Sequence, residues 1–169
     1  MLLRPIMSLF LCLAVPSLGA CGFHPLYGQN NAGEATSDAL SKVKIDLIEN
    51  RVGQLTRNVL LENLTPKGSP TNAEYELVVE LNESTTDLGF TKQNEATISD
   101  YILSGNYKLI RISDTKTMRS GTLRARTSFN IVQSDFASLE AKSAAREDAA
   151  RNLARQIANQ VAIGVNNAD

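Results

Sequence analysis

Three stretches in which apolar and polar residues alternate constrain the fold of this chain most strongly. The clearest runs from Tyr75 to Leu81, where every second residue is apolar. Two further stretches, about Ala96–Ile112 and Thr117–Val132, are separated by the polar residues Ser113–Lys116. Because successive side chains of a β-strand point to opposite faces, the pattern predicts three strands, of which the last two form a long hairpin.

The apolar phase changes after Leu81, because Leu88 and Phe90 fall on even positions whereas the earlier apolar residues fall on odd ones. This shift predicts a β-bulge, or the end of the strand followed by a loop. In the two later stretches the residues predicted to face the core are Tyr101, Leu103, Tyr107, Leu109, Leu123, Ala125, Thr127, Phe129 and Ile131.

A shorter alternation precedes these strands. Val43–Ile48 is predicted as a strand whose buried face includes Leu47. Asn50 can cap a helix from about Arg51 to Leu64, and the proline and glycine that follow predict its end.

The chain closes with apolar residues at three- and four-residue spacing from about Ser138 to Val165, which predicts a long helix. The order of elements is therefore β-α-β-β-β-α. We expect an α+β fold, a two-layer sandwich in which two helices pack on one face of a four-stranded mixed sheet. The other face of the sheet should be polar.

The N-terminal residues have the features of an export signal. Arg4 precedes an apolar run from Ile6 to Val15, which is too short for a permanent membrane span. Leu18–Cys21 then resembles the bacterial lipobox, in which the cysteine is lipidated and becomes the first residue after cleavage. The alternative is an ordinary signal peptide with an incidental cysteine. We expect residues 1–20 to be a lipoprotein signal peptide and Cys21 to carry the lipid, which anchors the chain in a membrane.

The remaining chain is predicted to be a tether, residues 21–41, followed by one domain, residues 42–169. Basic and acidic residues are nearly balanced, with a net charge of −1, so nucleic acid is not an expected partner. Cys12 leaves with the signal and Cys21 is used by the lipid, so the domain has no cysteine for a disulfide or a metal site.

Few residues could carry catalysis. His24 is the only histidine and lies beside the predicted lipid anchor, which excludes a Ser-His-Asp triad and a histidine metal cluster within the domain. Glu74, Glu76 and Glu80 favour a solvated strand face, although spacing alone leaves open a hydrolase that uses two carboxylates. We expect no catalytic residue, no metal and no cofactor, and we expect that the protein is not an enzyme.

Basic residues on the predicted hairpin form the candidate binding site. They could grip phosphate groups, because a guanidinium binds phosphate in a bidentate manner. The alternative is an exposed strand face on which these charges serve solubility and edge protection. The candidate residues are Lys108, Arg111, Arg119, Arg124 and Arg126.

The segment Cys21–Gly28, with the sequence CGFHPLYG, resembles the start of the lipopolysaccharide-assembly lipoproteins called LptE, in their α-proteobacterial form. The predicted β-α-β-β-β-α order agrees with the fold of that family. The resemblance implies an outer-membrane lipoprotein on the periplasmic side, anchored through the lipid on Cys21. It further implies that the protein plugs the LptD β-barrel, assists its assembly and supports delivery of lipopolysaccharide to the cell surface. Gly22 is consistent with this location, since an aspartate there would resemble an inner-membrane retention signal.

A different class of function remains open at this point. A periplasmic lipoprotein adaptor of another envelope transport system, such as an ABC-type lipid transporter, would also be a tethered, non-enzymatic α+β domain. Co-purification with an outer-membrane barrel favours the first function, and co-purification with an inner-membrane permease favours the second.

Overall fold

The computed structural model describes residues 37–90 and 96–166. The predicted signal peptide, the predicted lipidation site Cys21 and most of the predicted tether lie outside the described residues. After a helical turn at residues 37–40, the elements follow in the predicted order. They are β1 (Val43–Ile45), α1 (Asn50–Leu64), β2 (Tyr75–Phe90), β3 (Ala96–Arg111), β4 (Thr117–Asn130) and α2 (Asp135–Asn166).

The four strands form one mixed sheet in the order β1-β2-β3-β4. β1 pairs with β2 in parallel, while β2, β3 and β4 form an antiparallel meander. The register of β2 against β3 shifts between Asp87 and Phe90, so the strand continues through a bulge. α2 packs on β3 and β4, and α1 packs beside α2. The predicted α+β sandwich is therefore confirmed.

The core lies between the sheet and the two helices. Odd-numbered residues of β2 and β3, including Leu77 and Leu103, meet the apolar faces of α1 and α2. The alanine-rich face of α2 comes close to the sheet at Gly105, where an added Cβ would lie 3.0 Å from Cδ2 of Leu153. The absence of a side chain at Gly105 therefore allows the helix to approach.

The structure corrects two predictions near α1. Leu47 is not buried but 79% exposed, and Ile48 is buried instead. The reason is that β1 ends at Ile45, after which the chain leaves the sheet and strand alternation no longer applies. Asn50 is not the cap of α1, because Glu49 occupies that position without a side-chain hydrogen bond and Asn50 begins the helix with φ of 67°.

The other boundaries differ from prediction by a few residues. β3 and β4 end slightly earlier than predicted, and α2 begins at Asp135 rather than Ser138. No helix in the described ranges has both the length and the apolar character needed to cross a membrane.

Candidate functional site

The face of the sheet opposite α1 and α2 is called the outer face below. Three of the candidate basic residues, Lys108 of β3 and Arg124 and Arg126 of β4, have even numbers and therefore lie on this face. In the register Arg124 lies opposite Ser104, and Lys108 lies opposite Ser120. Arg124 donates a hydrogen bond from Nε to Oγ of Ser104 at 3.2 Å. The outer face thus presents cations among hydroxyl groups, a combination that can bind phosphate oxygens.

The other two candidates do not belong to this face. Arg119 lies on the helix side, where Nε and Nη2 donate to Oε1 of Gln160 in α2 at 2.9 and 2.6 Å. Arg111 shares the parity of buried Leu109 and lies 3.8 Å from the carboxylate of Asp114. The structure therefore does not bring the five predicted residues together.

Arg126 also has a structural partner. Its Nε lies 3.1 Å from Oδ2 of Asp100, a carboxylate that is only 1% exposed. Ser128 donates a hydrogen bond to the other carboxylate oxygen at 2.6 Å. Because a buried carboxylate is costly without a partner, this contact stabilises the domain as well as fixing the guanidinium.

Replacing Arg126 with glutamine is expected to lower the free energy of unfolding by about 1 kcal/mol, because the buried carboxylate of Asp100 loses its cation. The loss is limited because the Arg126 side chain is largely exposed, so solvent already screens the ion pair. Arg124→Gln is the matched control and is expected to change stability by less than about 0.5 kcal/mol. Urea denaturation measures both. Equal losses in the two variants would contradict a special role for the Arg126–Asp100 pair.

The acidic residues at the start of β2 and just before it do not form a convergent carboxylate pair. Glu74 binds Lys42 at 2.6 Å and Glu76 binds Lys44 at 2.9 Å, in ion pairs that are open to solvent. No group of three or more potential metal ligands occurs among residues 37–90 and 96–166. The arrangement fits a solvated strand face.

A side-chain cluster that the sequence analysis missed joins α2 to the sheet. The Tyr101 hydroxyl donates to Oε2 of Glu83 at 2.5 Å, and Nε of Arg146 donates to the same oxygen at 3.0 Å. The Arg146 guanidinium also lies 5.7 Å from the centre of the Tyr101 ring. Burial raises the pKa of Tyr101 far above its usual value, the hydrogen bond to Glu83 also raises it, and Arg146 lowers it. The phenol therefore remains a donor at neutral pH. No local sequence signal connects residues so far apart in the chain.

A second missed feature is apolar. Several large side chains are exposed at the end of the sheet where β2 and β4 finish and α2 begins. Two of them, Val132 and Leu139, border an open groove of about 360 Å³ whose lining also includes Phe129 and Ile131. The exposed residues at this end, called the apolar tip below, are Leu88, Ile98, Val132, Phe136 and Leu139.

Comparison with known proteins gives a match in structure only. No protein-family model and no curated protein sequence matches the chain. A protein from Caulobacter crescentus, provisionally described as a lipoprotein, superposes with a TM-score of 0.63 at 21% identity, covering 78% of this chain and 96% of its own. The chain shares the fold of that protein.

Two further solved structures agree. A minor lipoprotein from Acinetobacter baumannii has a TM-score of 0.56 at 19% identity and covers 73% of this chain and 94% of its own. The rare lipoprotein B from Shewanella oneidensis has a TM-score of 0.56 at 10% identity, covering 71% and 92%. The sheet and helices described above are thus an architecture found in bacterial lipoproteins.

Proposed function

We propose that this protein is an outer-membrane lipoprotein, anchored through Cys21 on the periplasmic side, that occupies the lumen of an LptD-type β-barrel. In that position it assists barrel assembly and supports delivery of lipopolysaccharide to the cell surface. The observation that carries the proposal is the fold, which spans nearly the whole length of several solved lipoproteins, rare lipoprotein B among them. The lipobox-like Leu18–Cys21 and the LptE-like Cys21–Gly28 support it.

The surface of the domain is consistent with this role. The lumen of a large outer-membrane barrel is polar, so a domain that fills it needs a polar surface around an apolar core. The outer face provides hydroxyls and the cations of Lys108 and Arg124, which could contact lipid A phosphates or acidic groups of the lumen. The proposal contains no catalytic step and no cofactor.

The first experiment is a pull-down from outer membranes in mild detergent, through a C-terminal tag, with the bound proteins identified by mass spectrometry. We expect an LptD-type barrel in near-equal amount. Recovery of inner-membrane transporter subunits without a barrel would overturn the proposal and support a periplasmic adaptor of another envelope transport system.

Direct contact with lipopolysaccharide is tested by reversing charges on the outer face. Lys108→Glu combined with Arg124→Glu is expected to weaken binding of purified lipopolysaccharide about tenfold, because two charge-assisted contacts to phosphate are lost and replaced by repulsion. Arg126 is not changed, because it forms the ion pair with the buried carboxylate of Asp100.

The control is Arg155→Glu, at an exposed position of α2 on the opposite side of the domain, together with one further surface charge reversal to match the change in net charge. Binding is measured on immobilised full-length protein in detergent. If the control weakens binding as much as the outer-face variant, the contact depends on net charge and not on this surface.

A further inference from the structure

The sheet has a long edge that β1 leaves uncovered. β1 pairs with β2 only from Val43 to Ile45, opposite Tyr75–Leu77, whereas β2 continues to Phe90. Within residues 37–90 and 96–166, no other strand pairs with β2 on that side. The stretch of β2 from Val79 to Thr85 is called the open edge below.

Two hydrogen bonds show which backbone groups face the open edge. Tyr75 donates from its N–H to the carbonyl of Lys42 at 3.3 Å, and the carbonyl of Leu77 accepts from Asp46 at 3.1 Å. Because alternate residues of a strand direct both backbone groups to the same side, the following odd-numbered residues do so as well. Val79, Leu81, Glu83 and Thr85 therefore present N–H and C=O groups to the open edge.

The first residues of the open edge line an acidic cleft. Where the chain turns from β1 into α1, it leaves a space of about 560 Å³ between residues 46–52 and β2. The lining of this cleft includes Asp46, Glu49, Glu80 and Glu83. Asp46 is paired with Lys44 at 3.2 Å and Glu83 with Arg146 at 3.0 Å, so Glu49 and Glu80 supply its available negative charge. Leu47 also lines the cleft with an almost fully exposed side chain.

We propose that the open edge binds an extended, basic segment of a partner polypeptide, which adds to the sheet as a strand beside β2. A row of unpaired backbone donors and acceptors is matched only by another extended backbone. The carboxylates of Glu49 and Glu80 in the cleft favour lysine and arginine side chains on that segment. This inference stands apart from the proposed function, because it does not depend on which envelope protein supplies the segment.

Two other polypeptide segments that could occupy the open edge, one from this chain and one from a second copy, match it less well. Residues 22–36 of this chain contain no lysine or arginine, so they lack the complementary charge. β4 of a second copy carries three arginines, but Arg119 is bound to Gln160 and Arg126 to Asp100 within its own domain. The same arginines make the β4 edge unfavourable for a cationic segment.

The test uses the full-length protein in detergent micelles and two synthetic octapeptides. One alternates lysine or arginine with threonine or valine, and the other has glutamate in place of every basic residue. Amide hydrogen exchange is read by NMR or mass spectrometry. We expect the basic peptide to slow exchange at Val79, Leu81, Glu83 and Thr85, and the acidic peptide to have no effect. Equal effects of both peptides, or protection at β4, would overturn the proposal.

Two variants separate strand addition from general charge attraction. Thr85→Pro removes an N–H that faces the open edge, which an edge strand tolerates, and is expected to abolish peptide protection while the thermal unfolding temperature stays close to that of the wild type. Glu80→Lys is expected to weaken peptide binding about tenfold. Glu62→Lys, at an exposed position of α1, is the control and should leave binding unchanged.

If Thr85→Pro does not fold, the comparison of Glu80→Lys with Glu62→Lys decides the question, and equal binding by these two variants contradicts the proposal. Protection of the open-edge amides without any peptide also contradicts it. Protection that grows with protein concentration would identify a second copy as the occupant, and protection independent of concentration would identify this chain itself.

Discussion

Replacing Leu153 with alanine is expected to lower the free energy of unfolding by about 3 kcal/mol. The side chain is fully buried at the middle of α2 and lies over Gly105 of β3, which has no side chain of its own to occupy the space. Truncation therefore loses both the transfer free energy of the side chain and the contacts around a lasting cavity.

Urea denaturation with circular dichroism measures this loss. Gln156→Ala, at an exposed position of the same helix, is the control and is expected to change stability by less than about 0.5 kcal/mol. A loss below about 1 kcal/mol in Leu153→Ala would mean that the helix can settle onto the sheet, contrary to the close packing at Gly105.

Gly53→Ala is expected to cost about 2 kcal/mol although alanine is the better helix former. A Cβ at this position would lie 2.7 Å from the carbonyl oxygen of Ile48 and 2.8 Å from its carbonyl carbon. These are backbone atoms, so the segment entering α1 must shift, and the cost of overpacking exceeds the helix propensity gained.

The matched control is Gln54→Ala, the next residue of α1, which is exposed and should be neutral or slightly stabilising. Thermal and urea unfolding of the two variants give the comparison. Greater stability of Gly53→Ala than of the wild type would show that helix propensity, rather than the contact with Ile48, decides this position.

The long elements could be predicted from the sequence because their periodicity is sustained. β3 and α2 each repeat their pattern over many residues, so a single exception does not obscure it. The alternation of β2 is clear only as far as Leu81, and the sequence leaves open whether the strand ends there or continues through a bulge, as it does, to Phe90. β1 is different, since three residues are too few to establish a phase. Strand alternation places Leu47 in the core, although the chain has already left the sheet at that residue. Its exposure became evident only from the tertiary structure.

The candidate site was predicted in part. Arg119 has an odd number, like the residues predicted to face the core, whereas Arg124 and Arg126 have even numbers. Alternation alone therefore places Arg119 on the other face of the sheet. The pairing of Arg126 with Asp100 and the cluster of Tyr101, Glu83 and Arg146 were not predictable, because each depends on strand register or helix placement. The lipid on Cys21 and the identity of the partners stay predictions.

The apolar tip lies at the opposite end of the sheet from Lys42, where the chain enters the domain. Sixteen residues of strand measure roughly 50 Å, and the thirty-two residues of α2 measure about the same. The hydrocarbon layer of a bilayer is only about 30 Å thick. If, as proposed, the domain lies along the axis of a barrel, it is longer than that layer is thick, so at least one of its ends, the Lys42 end or the apolar tip, extends into water.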